Sequence, residues 1–261
     1  MKLKILTPQY FEAYKERQLY TLQKHFGKFK KKDLNAENFD FYLSSSAVYS
    51  SLIEGSGLSM ESYWRYRESN INTRSKPYVE IQDLIKAYEF AQNSPINARN
   101  LLKIHKILSR TLLSGDKKYQ GKLRDKSVGV YEEGKRLVYR AASVEVLKAD
   151  FDKLIFDIQL LVKSELSIDE SFYYASMIHL RFSQIHPFAD GNGRTSRLLE
   201  KWFLAQKMGS KAWFIESEKY YQKSLKKYYL NINLGQTYET INQDACIPFL
   251  LMLPEALKFS R

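Results

Sequence analysis

The sequence predicts a mainly α-helical protein, a bundle of helices with one β-hairpin. Most segments of the 261-residue chain carry apolar side chains at helical spacing. One stretch, residues 128–139, instead places β-branched and aromatic residues on both sides of Glu133-Gly134, which is typical of a hairpin. The chain holds 19 Tyr and 15 Phe against 11 Gly and 6 Pro, so it has ample material for a hydrophobic core.

Each helix is predicted from its apolar spacing and its end signals. The predicted helices cover residues 7 to about 27, 39–53, 80–91, 100–113, 144–163, 167 to about 184 and 195–208, with two or three more before residue 260. Ser167 and Glu170 form a capping box, which fixes where one helix begins. That helix is apolar on more than one side, so we expect it to lie buried at the centre.

The chain is basic, with 41 Lys and Arg against 29 Asp and Glu and a net charge of +12. Such a balance invites a nucleic-acid partner. However, the lysines are spread along the chain, and the densest run, residues 28–32, is typical of a solvated face. Charge alone therefore does not identify a function, and we do not expect a nucleic-acid partner.

We expect a cytoplasmic protein that does not contact a membrane. No stretch approaches the roughly 18 consecutive apolar residues of a membrane span, and the apolar run at the N-terminus is too short for a signal peptide. The single cysteine, Cys246, excludes an internal disulfide and is compatible with a reducing compartment.

Residues 186–197 combine a histidine, a carboxylate, two glycines around an asparagine and two arginines. The Gly-Asn-Gly run leads into a predicted helix, and such a loop presents backbone N–H groups and the positive end of the helix dipole to an anion. Arg194 and Arg197 lie one helical turn apart, so both guanidinium groups can face the same phosphate. The stretch therefore predicts a phosphate-binding loop.

Two further side chains of this stretch bear on catalysis. Asp190 directly precedes the glycine loop and is placed to hold a divalent cation against phosphate oxygens. His186 is a base that works near neutral pH. A lone Gly-x-Gly is usually only a turn, but two arginines in a first helical turn oppose the helix dipole unless an anion compensates. The combination suits phosphoryl or nucleotidyl transfer.

At these residues the sequence resembles a known family. Residues 186–197 fit, position for position, the signature of Fic-domain proteins, His-x-Phe-x-(Asp/Glu)-Gly-Asn-Gly-Arg-x-x-Arg. Residues 103–108, the Gly-x-x-Arg run at 121–124 and the hairpin are similar to the family's early core helix, its turn and its target-binding flap. The resemblance implies a Fic domain with C-terminal helices over residues 80–261, and an N-terminal helical region over residues 1–79.

The resemblance implies a protein adenylyltransferase, which moves AMP from ATP onto a hydroxyl of a target protein. In that family role His186 deprotonates the hydroxyl, and Asp190 holds Mg²⁺ at the α- and β-phosphates. The implied phosphate-binding residues are Gly191, Asn192, Gly193, Arg194 and Arg197. The target is unknown and could be the chain itself, and a homodimer stays open.

By the same resemblance the hairpin is a flap whose strand edge pairs with an extended segment of the target. Its implied residues are Val128, Val130, Tyr131, Leu137 and Val138. The family usually shows prolines after the hairpin, whereas residues 139–143 here are Tyr-Arg-Ala-Ala-Ser, which favours a helical exit. Tyr221 and Tyr228 are candidates for stacking on adenine.

A second resemblance precedes the core. Ser50-x-x-x-Glu54-Gly55 is similar to the (Ser/Thr)-x-x-x-Glu-(Gly/Asn) inhibitory helix of the N-terminally regulated class, and we place this helix at about residues 39–55. Without the core motif such a pair would be a solvated helix face. With it, we expect Glu54 to bind Arg197, which should receive the γ-phosphate, and so to inhibit the site.

Two other functions stay open. Some family members use this glutamate to align a water that removes AMP from a modified protein, which is the reverse outcome. The basic charge favours a non-catalytic nucleotide- or nucleic-acid-binding regulator, but His186 and Asp190 argue against it because binding alone needs neither. The remaining histidines, His25, His105 and His179, are predicted to be structural.

Overall fold

A computed structural model of the protein describes residues 2–28, 36–69, 75–132 and 136–260. The basic run from residue 29 onward and the predicted Glu133-Gly134 turn lie outside the described residues. Within them the chain forms helices and one two-stranded sheet. The predicted class, mainly α with a β-hairpin, is confirmed.

The helices and strands lie in chain order as follows. They are α1 (Phe11–Arg17), α2 (Leu22–Phe26), α3 (Ala36–Ile53), α4 (Met60–Glu68), α5 (Lys76–Gln92), α6 (Ala98–Leu108), β1 (Gly129–Glu132), β2 (Arg136–Arg140), α7 (Val144–Lys163), α8 (Ile168–Ile185), α9 (Asn192–Met208), α10 (Ser217–Lys223), α11 (Leu225–Ile232), α12 (Ile247–Leu250) and α13 (Met252–Phe259). Short 3₁₀ helices occur at Lys117–Tyr119, Ser210–Phe214, Tyr238–Thr240 and Gln243–Ala245. None of the described helices is long and apolar enough to span a membrane.

The two helices α8 and α9 pack along each other at the centre of the molecule. Helix α8 is buried on nearly all sides, as predicted from its apolar composition. Its capping box is present: Glu170 N–H donates to Ser167 Oγ at 3.2 Å, and Ser167 N–H donates to the Glu170 carboxylate at 2.7 Å. The loop between α8 and α9, residues 186–191, is thus held between two buried helices.

One hydrophobic core contains residues from both sides of the predicted boundary at residue 80. The N-terminal segment is attached to it through Asp157 on α7. This buried carboxylate accepts hydrogen bonds from three consecutive backbone N–H groups, residues 4–6, at 2.7–3.0 Å. Helix α3 packs against α5, α9 and α10. The boundary itself falls within α5, and the division into two regions stays a prediction.

The single helix predicted over residues 7–27 is wrong, because the chain breaks into α1 and α2. Gln18 leaves the helical conformation with ψ 114°, and its side-chain amide donates to Tyr20 O at 2.9 Å and to Asp169 at 3.0 Å. Leu19, counted as an apolar member of the helix, is 93% exposed. A hydrogen bond from Gln18 to a residue outside the segment therefore accompanies the helix break, although the local apolar spacing favours one continuous helix.

Three other helix predictions need correction. The helix predicted over residues 100–113 ends at Leu108. Beyond it, the side-chain amide of Gln120 donates to the carbonyls of Arg110 and Leu113 at 2.9 and 3.2 Å, which stabilises a non-helical turn. Helix α4 was not predicted; its sequence is largely polar, and Ser59 caps it. The chain after residue 209 forms four short α-helices rather than two or three.

The hairpin pairs β1 with β2 in antiparallel register, with Gly129 opposite Arg140 and an irregularity between Val130 and Tyr131. The helical exit favoured by the sequence is wrong, since Tyr139 and Arg140 are still in strand β2. Arg140 N–H donates to Gln236 O at 2.8 Å, which extends the pairing onto the C-terminal part of the chain. Helix α7 begins only at Val144.

Candidate active site

The loop at residues 186–191 turns the chain sharply between α8 and α9. His186 ends α8 with φ 53° and ψ 60°, and in the described part of the chain it is the one non-glycine residue with positive φ. Its N–H donates to Phe182 O at 2.9 Å. A left-handed conformation costs a residue with a side chain about 1–2 kcal/mol. The surrounding contacts therefore hold His186 in a strained turn.

One hydrogen bond indicates the tautomer of the His186 ring. Its Nδ1 lies 3.2 Å from Ser183 O, and because a carbonyl can only accept, Nδ1 carries the hydrogen. The lone pair is then on Nε2, and the ring lines a cavity. Burial lowers the pKa of His186 below its ordinary value, and the nearby Arg124 adds to this effect. The imidazole is neutral at pH 7 and can accept a proton.

Arg124 holds this loop in place, and sequence reasoning assigned it no role. Its backbone N–H donates to Pro187 O at 3.0 Å, and its Nε donates to His186 O at 2.8 Å. Its Nη2 donates to Ala142 O, just after the hairpin. One buried guanidinium thus connects the histidine loop with the end of the flap. The available signal was the Gly-x-x-Arg run at residues 121–124.

The interior of the loop is closed by Asn192 and His105. The side-chain amide of Asn192 accepts from Phe188 N–H and donates to Phe188 O, both at 2.8 Å. His105 stacks on Phe188 with ring centroids 3.6 Å apart, accepts from Gly121 N–H at 3.0 Å and donates to Asp190 O at 2.9 Å. Burial lowers the pKa of His105 to about 4. His105 is a packing histidine, as predicted.

The start of α9 has the form of an anion site. Gly191 precedes it with φ 78°, and a Cβ there would press on the side chains of Leu108 and Leu112. Asp190 Oδ1 accepts from Gly191 N–H at 2.6 Å, which fixes the carboxylate beside the turn. The helix begins at Asn192, earlier than the predicted residue 195, and among the described residues no side chain caps its first turn. Its first N–H groups are therefore suited to an anion.

Arg197 lies on α9 and is almost completely buried, with 1% of its surface exposed. Its Nε donates to Ser50 Oγ at 2.9 Å, and its Nη2 donates to Ser50 O at 3.0 Å and to Glu54 Oε1 at 2.6 Å. Its Nη1 donates to Tyr228 Oη at 3.3 Å. Although burial opposes its charge, Glu54 and Tyr228 raise the pKa of Arg197 above its ordinary value. The end of α3 thus occupies most of this guanidinium.

Glu54 directly follows α3, and the contact with Arg197 predicted from the sequence is present. Gly55 has φ 82°, so the chain turns away from α9 directly after Glu54. Glu54 also lies against Gly193, where a Cβ would collide with its carboxylate. Burial alone would raise the pKa of Glu54, but Arg197 and Arg194 lower it below its ordinary value. The carboxylate is therefore ionised at pH 7.

Arg194 differs from Arg197 in its hydrogen-bond partner, and its contact with phosphate stays a prediction. It is buried and donates to Glu80 on α5 at 3.4 Å. Its Nε is buried without a hydrogen-bond partner among the described residues. The two arginines are one turn apart, as the spacing requires, but α3 faces one guanidinium and α5 the other.

A cavity of about 810 Å³ opens above the loop. Its lining comes from Glu54, from the loop with the adjoining ends of α8 and α9, from the hairpin, and from α11 with the residues after it. The loop and α9 contribute His186, Ala189, Asp190, Gly193 and Arg197; the hairpin contributes Val128, Gly129, Val130, Tyr131, Arg136, Val138 and Tyr139; the C-terminal part contributes Lys226, Tyr228, Tyr229, Leu230, Ile232, Asn233, Leu234 and Ile241. Of the predicted flap residues, Leu137 does not line the cavity.

The two predicted adenine-stacking residues behave differently. Tyr228 lines the cavity, but Tyr221 does not. Tyr221 is 1% exposed, stacks beneath Tyr228 at 5.1 Å and donates its hydroxyl to Glu200 at 3.0 Å. Tyr221 cannot reach a ligand in this arrangement. The sequence suggested that both tyrosines contact a ligand. Instead they form a stack in which Tyr228 lines the cavity and Tyr221 lies behind it in the core.

The fold thus combines a histidine and a glycine turn between two central helices with a β-hairpin that lines the same cavity. Residues 95–204 match the family model described as Fic/DOC family. These residues therefore form a Fic domain, and the resemblance to Fic-domain proteins predicted from the sequence is confirmed.

Three solved structures illustrate the likeness in fold. A Fic family protein from Desulfovibrio desulfuricans has 19% identity and a TM-score of 0.76, with 100% of this chain and 75% of that chain covered. A Fic domain containing signaling protein from Bacteroides thetaiotaomicron has 22% identity and a TM-score of 0.64, with 96% and 94% covered. A fragment of Fic-1 from C. elegans has 19% identity and a TM-score of 0.64, with 97% and 69% covered. At these identities the likeness concerns the fold.

Proposed function

We propose that this protein is a protein adenylyltransferase that transfers AMP from ATP to a hydroxyl side chain of a target protein. One observation carries the proposal: the neutral ring of His186 lines the same cavity as Arg197 and Gly193 at the start of α9. A base and an anion site on one cavity are the two components that nucleotidyl transfer to a hydroxyl requires.

In the proposed reaction the target hydroxyl oxygen attacks the α-phosphorus of ATP. His186 Nε2 takes the hydroxyl proton while the new oxygen–phosphorus bond forms. The bond from the α-phosphorus to the oxygen that bridges the α- and β-phosphates breaks, and diphosphate leaves with its electron pair. The N–H groups at the start of α9 bind the departing phosphates, and Arg197 binds the γ-phosphate.

The residues present fit the Mg²⁺ that this reaction uses. Asp190 is exposed and lines the cavity, and its Oδ1 is oriented by Gly191 N–H. In the described part of the chain no three acidic, histidine or cysteine side chains form a metal cage. One carboxylate together with substrate phosphates is the usual binding mode of Mg²⁺ in such sites, and the ion would neutralise phosphate charge.

We further propose that the protein inhibits itself through Glu54. Its carboxylate holds the guanidinium that the γ-phosphate needs, at 2.6 Å, and it lies against Gly193 at the start of α9. ATP and Glu54 then compete for one position, and the parent protein is expected to transfer little AMP. The flap is proposed to hold the target as an extended strand.

The test is incubation with α-labelled ATP and Mg²⁺. Glu54→Gly is expected to label protein, itself or a target in a lysate of its source, and Glu54→Gly with His186→Ala is expected to label nothing. Glu61→Gly is the matched control, because the exposed Glu61–Arg65 pair has the same 2.6 Å distance but lies away from the cavity. An unlabelled Glu54→Gly variant would contradict the transferase, and equal labelling of Glu61→Gly would contradict the role of Glu54.

A second candidate activity is removal of AMP from a modified protein. It is favoured by the position of Glu54, which lines the cavity beside His186 and keeps 32% of its side chain exposed. A carboxylate placed in this way can orient an attacking water. Under this alternative, a target that carries AMP loses it with the parent protein and keeps it with Glu54→Gly. The transferase predicts the opposite dependence on Glu54.

A further inference from the structure

Behind Arg197 a file of buried polar side chains runs from the cavity into the core. Arg197 lies 3.3 Å from the hydroxyl of Tyr228, which lies 3.0 Å from His179 Nε2. His179 Nδ1 lies 2.8 Å from Glu200 Oε2, and Tyr221 donates its hydroxyl to the same carboxylate. All five side chains are at most 2% exposed. The proposed reaction assigns none of the last three a task.

The direction of each hydrogen bond in this file follows from its chemistry. The carboxylate of Glu200 accepts, so Nδ1 of His179 carries a hydrogen, and in the neutral ring Nε2 is then the acceptor. A guanidinium can only donate, so the oxygen of Tyr228 accepts from Arg197 and its O–H donates to His179 Nε2. Every donor in the file then has an acceptor, and the hydroxyl of Tyr228 has one fixed orientation.

We propose that Tyr228, oriented by His179 and Glu200, is a positioning residue for Arg197. It holds Nη1 of the guanidinium, so that Nη2 stays aimed at the position where Glu54 now lies. This inference rests on the proposed function, in which the γ-phosphate of ATP takes that position. When ATP displaces Glu54, Arg197 keeps its bonds to Ser50 through Nε and Nη2, and Tyr228 is the acceptor that holds Nη1.

The geometry separates this role from packing. Tyr228 and Tyr221 are adjacent, stacked and both buried, and each donates its hydroxyl within the file. Of these two tyrosine hydroxyls, that of Tyr228 contacts Arg197 and that of Tyr221 does not. Tyr→Phe removes one oxygen and leaves the ring, so the two substitutions are a matched pair.

The test measures equilibrium binding of ATP and ADP, with Mg²⁺, to Glu54→Gly and to the same variant carrying Tyr228→Phe or Tyr221→Phe. Tyr228→Phe is expected to weaken ATP binding about five-fold, as for the loss of one hydrogen bond of about 1 kcal/mol. ADP lacks the γ-phosphate, so its affinity is expected to change less than about two-fold. Tyr221→Phe is expected to change the affinity for either nucleotide less than about two-fold.

Several outcomes would overturn the inference while the variants remain folded, as checked by thermal melting. These are an unchanged ATP affinity in Tyr228→Phe, an equal loss for ATP and ADP, or an equal effect of Tyr221→Phe. The first would mean that Arg197 does not need its contact with the hydroxyl of Tyr228. The other two would mean that the file acts only through packing.

A measurement without nucleotide keeps this inference distinct from the proposed function. The stability lost on Glu54→Gln is measured in the parent and in Tyr228→Phe. If Tyr228 positions Arg197, the loss is smaller in Tyr228→Phe, because a guanidinium that is no longer held at Nη1 binds Glu54 less well. Strictly additive losses would overturn the positioning role. If Glu54→Gly binds no ATP at all, the proposed function fails, and this comparison alone decides the role of Tyr228.

Discussion

Two buried polar clusters connect α3 to α9, and they differ in what surrounds them. In the first, Lys201 Nζ donates to Ser46 Oγ and to Glu218 on α10, both at 2.6 Å. In the second, one turn earlier on α9, Arg197 binds Ser50 and Glu54. Each cluster therefore holds α3 through a cation on the same face of α9.

The first cluster is closed and the second is open. The side chains of Lys201 and Glu218 are 1% and 0% exposed, and Tyr88 on α5 donates to the same carboxylate at 2.7 Å. Glu54, in contrast, keeps 32% of its side chain exposed on the wall of the cavity. The middle of α3 is fixed to the core, whereas Glu54 at its end borders the cavity, as the proposed exchange with ATP requires. Under the proposed function, inhibition and stability therefore depend on different turns of one helix.

The largest expected effect breaks the closed cluster. Lys201→Met leaves Glu218 buried without its cation and is expected to lower the free energy of unfolding by about 3–5 kcal/mol. The measurement is urea denaturation followed by circular dichroism. Lys227→Met is the control, since the Lys227–Glu255 pair has the same 2.6 Å distance but is 48% and 36% exposed. That control is expected to change stability by less than about 1 kcal/mol, and equal losses would remove the distinction between the clusters.

The next effect opens the second cluster. Glu54→Gly is expected to lower the free energy of unfolding by only about 1 kcal/mol, because Arg197 keeps Ser50 and Tyr228 as acceptors. At a concentration of ATP about one hundred times its Kd, the variant should then gain about 2.7 kcal/mol. Urea denaturation with and without ATP and Mg²⁺ measures both. An equal gain in the parent protein would show that Glu54 and ATP do not compete.

The difference between the clusters also marks what the sequence could predict. Glu54 and Arg197 were paired because each belongs to a motif with a fixed spacing. Lys201 gave no such signal, since lysine in a helix is usually exposed and its partners lie 17 and 155 residues away. The contact of Arg194 with Glu80 was likewise not predictable, because Glu80 belongs to another helix and no local pattern brings the two together.

The fold itself was more predictable than the side-chain partners. Helices α7 and α8 begin at residues that the sequence marks, Val144 after Ser143 and Ile168 after the capping box at Ser167. The division between α1 and α2 was not predictable, because it depends on a hydrogen bond from Gln18 to Asp169 on α8. Tyr221 was misplaced likewise, since aromatic spacing does not distinguish a cavity wall from the layer behind it.

A smaller effect is the pH dependence of the open cluster. The pKa of Glu54 is lowered below its ordinary 4.5, so its contribution to stability is complete above the unfolded pKa and is lost only as the pH falls through the lower, folded pKa. The difference in unfolding free energy between the parent and Glu54→Gln is therefore expected to be constant from pH 7 down to about 4.5 and to shrink below it. A difference that disappears between pH 7 and 5 would contradict an ionised Glu54–Arg197 pair.

The smallest effect concerns the contact that holds the end of α3 from the C-terminal side. Tyr229 donates its hydroxyl to Ile53 O, the last carbonyl of α3, at 2.8 Å. Tyr229→Phe is expected to cost about 0.5–1 kcal/mol and, by freeing Glu54, to raise AMP transfer by the parent about two- to five-fold. Tyr10→Phe, which removes a comparable surface bond to Asp244 at 2.9 Å, should leave transfer unchanged. Labelling with α-labelled ATP compares them; equal rates would mean that the end of α3 is held by Arg197 alone.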